Sequence, residues 1–176
     1  MKKIIMIVLV LLFSGLTIAT AIGNFFCNEE FFSASITQVL TLGITLSVAF
    51  WATQYKTDLR KMKEHAEEII HKLQALVSHP NFYSIPFTGD EELIKKQINS
   101  TNRKINNCLS VLAEYGKTLK FEDEFKYIQS EFEVYKYRMG EHINDLEYLS
   151  KSENEFKRTA ENIDSKCDYI ILKLYK

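Results

Sequence analysis

The chain has 176 residues, with 22 basic against 23 acidic side chains and a formal net charge of -1, so no surplus of charge marks it for nucleic acid. Two prolines and six glycines argue against a β-sandwich and for helices. Three cysteines, Cys27, Cys108 and Cys167, are an odd number without CxxC spacing, which points to neither a disulfide framework nor a zinc site.

Charge is unevenly placed. Through Tyr55 the charged side chains are Lys2, Lys3, Glu29 and Glu30 alone. Lys2 and Lys3 precede an uncharged run from Ile4 to Ile22, whose roughly 19 residues at ~1.5 Å each span a ~30 Å hydrocarbon core. Ala19-Thr20-Ala21 leaves a second reading open, a cleaved signal peptide. Gly23 to Ser33 is a connecting loop. A second uncharged run, Phe31 to Tyr55, places another span at about 33–54, with Trp51 and Tyr55 as interface anchors. Basic residues flank the pair at Lys2, Lys3, Lys56, Arg60, Lys61 and Lys63, so the positive-inside rule puts both ends on the cytoplasmic side.

Small residues recur at spacing four in both runs. They are Gly15, Ala19 and Gly23 in the first, and Ser33, Thr37, Thr41, Thr45, Ala49 and Thr53 in the second, with Gln38 on the same broad side. Small side chains allow close backbone approach, and hydroxyls or an amide can bond across helices. Two readings follow: the stripes pack the hairpin together, or they pack between subunits or face water in a self-associated form.

Beyond the second run, Leu59, Met62, Ala66, Ile69, Leu73 and Leu76 alternate steps of three and four, a heptad seam. The helix over about 56–78 should stop before His79-Pro80, because a residue preceding proline avoids the α region. Pro80 to Gly89 reads as a loop rich in apolar residues, Phe82, Tyr83, Ile85 and Phe87. It is either a plug folded onto the bundle or a docking loop for a cytoplasmic protein partner. Thr88 or Asp90 can cap a helix over about 90–115, with a seam through Ile94, Ile98, Thr101, Ile105, Cys108, Leu112 and Tyr115, and Gly116 is placed to close it in a left-handed turn. Thr118 can cap a third helix, 118–150, whose aromatic seam runs through Phe121, Phe125, Ile128, Phe132, Tyr135, Met139, His142, Leu146 and Leu149. A break near Ser150 to Ser152, with Ser152-x-x-Glu155 as a capping box, opens a fourth helix over 152–175, with a seam through Phe156, Ala160, Ile163, Cys167, Ile170 and Leu174. The fold class is therefore all-α: a transmembrane helical hairpin in residues 1–55, then an elongated antiparallel helical bundle or coiled coil in 56–176.

Catalytic chemistry finds no foothold. His65 and His71 lie six apart, off the one-turn spacing of a helical metal pair. His142, Cys108 and Cys167 fall on seams and read as packing. Acid clusters at Asp90-Glu91-Glu92 and Glu122-Asp123-Glu124 sit at helix starts, where the dipole explains them. No glycine-rich phosphate loop, G-x-S-x-G or HExxH occurs. No catalytic residue, cofactor or metal is expected, and the expected partners are the lipid bilayer, further copies of the chain and a cytoplasmic protein.

Two N-terminal spans followed by a helical tail resemble small two-transmembrane bacterial membrane effectors of phage-defence systems, such as those of some retrons. The resemblance is architectural, covers Ile4 to about Lys63, and carries no residue roles. It implies a multi-pass protein of the bacterial inner membrane that a partner keeps silent and that permeabilises the membrane when released. A membrane-anchored scaffold that recruits a cytoplasmic partner is the alternative.

Overall fold

A computed structural model describes residues 31–85 and 90–176, side chains excepted at 31–37, 39 and 40. It is helical, with two units, Met1–Asp58 and Leu59–Lys176. The first expected span, with Gly15, Ala19, Gly23 and Cys27, lies outside the described residues, as do Phe87 and Thr88.

Helix α1 runs from Phe31–Val77. No proline interrupts it, and it stops where expected. Ser78 N–H still reaches Gln74 O at 2.9 Å, but His79, ahead of Pro80, is extended at φ -73°, ψ 135°. The His79 ring then begins a new element. Its Nδ1 accepts the Asn81 N–H at 3.1 Å, and Pro80 takes the first helical position, where a missing N–H costs nothing. The segment read as loop thus contains a one-turn helix, α2, Pro80–Tyr83. Asp90 caps α3, Glu91–Gly116, accepting from Glu92 N–H at 3.0 Å and Leu93 N–H at 3.3 Å.

The α3 exit corrects the expected role of Gly116. Gly116 is the last helical residue, Lys117 is still right-handed, and the left-handed position belongs to Lys120 at φ 62°. Thr118 caps nothing; the N-cap of α4, Glu122–Glu141, is Phe121, which makes no side-chain cap bond. Burial places this turn, because Phe121 is wholly enclosed. The third helix is also shorter than its seam predicts. His142 leaves the helix at φ -109°, ψ 17°, and Asp145 starts α5, Leu146–Lys151, by accepting the Tyr148 N–H at 2.9 Å. The break expected near Ser152 does occur, opening α6, Glu153–Leu174. The capping box does not form: the Ser152 hydroxyl donates to Tyr148 O at 2.9 Å, and Glu155 is drawn away to Arg138.

Within the Leu59–Lys176 unit, successive long helices alternate direction. His65 meets Tyr115 at 2.8 Å across α1 and α3. Gly116 closes on Phe121 and Glu122 across α3 and α4. Lys173–Glu124, Asn162–Glu131 and Arg138–Glu155 tie α6 to α4 in antiparallel register. Gln74 of α1 donates to both Asp164 and Asp168 of α6, at 2.9 and 2.8 Å. The result is an up-down-up-down four-helix bundle with the core on its axis. The fourth seam is buried as predicted, from Phe156 through Leu174. The first is broader than two positions per heptad, because Ile70 and Val77 are fully enclosed while Leu76 is partly covered. A bundle helix flanked by two neighbours buries a wider stripe than a two-stranded coiled coil does.

Candidate membrane-contact segment and aromatic plug

The Met1–Asp58 unit contributes one described feature, the first part of α1. From Thr41 to Tyr55 its side chains are uncharged, and the large apolar ones are open: Leu42 61 %, Ile44 65 %, Val48 59 % and Trp51 69 % exposed, with Leu46, Phe50 and Tyr55 also exposed. At ~100° per residue these positions go round the helix rather than forming one stripe. Trp51 stacks on Tyr55, ring centroids 5.9 Å apart, at the point where Lys56 begins the charged sequence. Of the polar stripe, Gln38, Thr41 and Thr45 are exposed; the Ser33 and Thr37 side chains lie outside the description. The hydroxyls of Thr45, Thr53 and Thr57 donate to the carbonyls of Thr41, Ala49 and Thr53 at 2.7, 2.8 and 2.9 Å. Each satisfies itself one turn back along its own helix. Among the described residues, no helix is long and apolar enough to cross a membrane.

The aromatic segment after α1 proves to be core. Phe82 is 0 % and Ile85 3 % exposed, and Tyr83 is partly buried against the same cluster. Phe82 stacks on Tyr135 at 4.0 Å, and Tyr135 in turn meets Phe132 and Phe156. The Tyr135 hydroxyl donates to the Phe82 carbonyl at 2.8 Å. The geometry explains why a plug is needed. Past the Gln74–Asp164 contact α1 runs on only three residues to Val77, whereas α6 runs back eight to Phe156, so α1 stops roughly five residues, or about 8 Å, short of Phe156. Phe82 fills the place in the core that α1 leaves. Phe82 and Ile85 therefore offer no surface to a docking partner. Tyr135 is far too enclosed to ionise readily, and burial raises its hydroxyl well above the usual phenol range.

The other groups singled out by type sort as follows. His142 lies outside the core, in the α4–α5 turn, stacked on Tyr148 at 3.7 Å. Cys167 is buried and Cys108 half-buried, and burial pushes both thiols up, away from the reactive thiolate. Glu124 is the most enclosed paired carboxylate. Burial alone would raise it, but Lys173 at 2.9 and 3.0 Å and a backbone hydrogen bond hold it below its ordinary value. Most other ion pairs, such as Arg60–Glu64, Lys72–Glu68 and Lys126–Glu122, are exposed one-turn pairs of little energetic weight. The Gln74 clamp escaped sequence reading, because a glutamine beside a heptad seam gives no sign that two aspartates of another helix converge on it.

No family model, no curated protein and no solved structure matches this chain.

Proposed function

We propose that this chain is a non-enzymatic integral membrane protein of the bacterial inner membrane, a membrane-perturbing effector of anti-phage defence whose cytoplasmic bundle binds a controlling partner. The observation that carries the reading is the apolar coat around α1 from Leu42 to Tyr55. A helix with no charge on any side and large apolar side chains open on more than one side calls for an apolar environment. The uncharged sequence continues back to Phe31, about 25 residues in all, which is enough for a ~30 Å hydrocarbon core. Trp51 and Tyr55 stand where interfacial rings belong, followed by Lys56, Arg60, Lys61 and Lys63 on the cytoplasmic side. The small-residue stripe and Gln38 supply the self-association that an effector requires.

One observation favours the second reading, a tether that holds a scaffold at the membrane. The threonine hydroxyls bond back to their own helix, so they make little demand for a partner helix.

Controlled expression in a bacterium separates the two, with growth and entry of a membrane-impermeant dye followed together. The effector reading expects growth arrest with dye entry, both weakened by Gln38→Leu and Thr41→Leu and abolished when 33–54 is replaced by a plain Leu/Ala helix. Normal growth with an intact membrane at high expression would overturn it, and partner capture surviving the Leu/Ala replacement would establish the tether.

A further inference from the structure

Where α1 ends against α3, a cavity of about 160 Å³ is lined by Ala75, Leu76, His79, Asn81, Thr101 and Lys104. The geometry points to a binding site for a single phosphate group there. Four of the six lining residues carry hydrogen-bond donors, one of them a permanent cation, and none carries a carboxylate. The ring of His79 is fixed in one tautomer: Nδ1 accepts the Asn81 N–H at 3.1 Å, so the ring proton resides on Nε2 and can be donated. Lys104 makes no ion pair among the described residues, unlike Lys95, which Glu91 neutralises at 3.1 Å. Between Glu92 and Glu114, α3 carries no acidic residue, and with Lys95 paired to Glu91 its other cations besides Lys104 are Lys96 and Arg103. Ala75 and the partly buried Leu76 give the cavity an apolar side, and a charged lysine donor makes the stronger kind of hydrogen bond to an anion. The volume is below the ~300 Å³ at which pockets for drug-sized ligands begin; it suits one oxyanion, free or at the end of a larger molecule whose remainder stays outside. This inference is independent of the membrane reading, since every residue involved belongs to the Leu59–Lys176 unit.

The test is calorimetric titration of the detergent-solubilised full chain with inorganic phosphate and, separately, with adenosine monophosphate. Saturable one-to-one binding of either is expected. Lys104→Gln should weaken it by about tenfold, the usual worth of one charge-assisted hydrogen bond. His79→Asn keeps an acceptor for the Asn81 N–H while removing Nε2–H, and should weaken it several-fold. Lys96→Gln, on the same helix but away from the cavity lining, should leave it within about twofold. Equal affinities identify a free anion as the ligand; tighter binding of the monophosphate identifies a phosphate carried by a larger molecule. Thermal unfolding of each variant shows that it is folded. Absence of saturable binding of both probes at millimolar concentration would overturn the site, and so would equal loss in Lys96→Gln and Lys104→Gln, which is the result of a diffuse field alone.

Discussion

Single atoms decide how firmly the aromatic plug is held. The Tyr135 hydroxyl is the hydrogen-bond donor to the Phe82 carbonyl, and both residues are enclosed. Tyr135→Phe keeps the ring stacking but leaves that carbonyl buried and unpaired, which should cost about 1–3 kcal/mol. Chemical denaturation should show a lowered midpoint at unchanged slope. Asn102 presents the opposite case. Its Oδ1 is buried without a hydrogen-bond partner among the described residues, on a helix whose neighbouring Ile98, Ile105 and Leu109 form core. Asn102→Leu removes an unsatisfied acceptor and should raise stability by about 1 kcal/mol, read as a higher unfolding midpoint. The identities of these residues in the sequence foretold neither effect. A tyrosine at a seam position says that a ring is buried, but its hydroxyl's partner comes from a segment 53 positions away.

At the scale of elements, the turns were the least legible part. The seam through Phe121, Phe125, Ile128, Phe132, Tyr135 and Met139 is buried as read, yet its helix ends at Glu141 and does not run to 150. Apolar spacing continues through a break whenever the following turn also packs, as Leu149 does. The missed signal was Asp145, an N-cap residue lying inside an apparently continuous pattern. In the α3–α4 turn the roles of glycine and lysine are exchanged. Lys120→Gly relieves a left-handed lysine and should stabilise the turn by up to about 1 kcal/mol. At Gly116 an added Cβ would meet Glu122 Cα at 3.5 Å and the Phe121 ring at 3.6 Å, ordinary contact distances, so Gly116→Ala should be tolerated. Thermal unfolding of the two variants checks both statements. The α4–α6 pair Glu124–Lys173 makes stability depend on pH. Glu124 in the folded chain lies below its ordinary 4.5, so its contribution is full above that value and fades as pH falls through the lowered one. Lys173 is raised above its ordinary 10.5; its contribution is full below 10.5 and fades as pH rises past its folded value. Unfolding midpoints of Glu124→Gln and the parent chain should therefore differ between pH 5 and 9 and converge in strong acid.

For the molecule as a whole, the two units make opposite use of apolar residues. The Leu59–Lys176 unit encloses its seams in one core from Ala66 to Leu174, whereas the described part of Met1–Asp58 leaves its apolar side chains open. On the membrane reading, the chain should pellet with bacterial membranes, resist high salt and alkaline carbonate, and be released by mild detergent. Release by salt alone would mark a peripheral protein. Resistance to carbonate is expected because apolar contact with lipid is independent of ionic strength, unlike attraction through Lys56 to Lys63.

Local sequence pattern determined the helical class, most of the apolar seams, the stop before Pro80 and a cap at Thr88 or Asp90, because each depends on residues within one or two turns of one another. Only the tertiary structure decided which seam residues are fully enclosed, where the third helix ends, and that the aromatic segment after α1 completes the core. The reason is relative length: α1 stops roughly one and a half turns short of Phe156 on its partner α6, and the vacancy that draws Phe82 inward exists only once the helices have been set side by side.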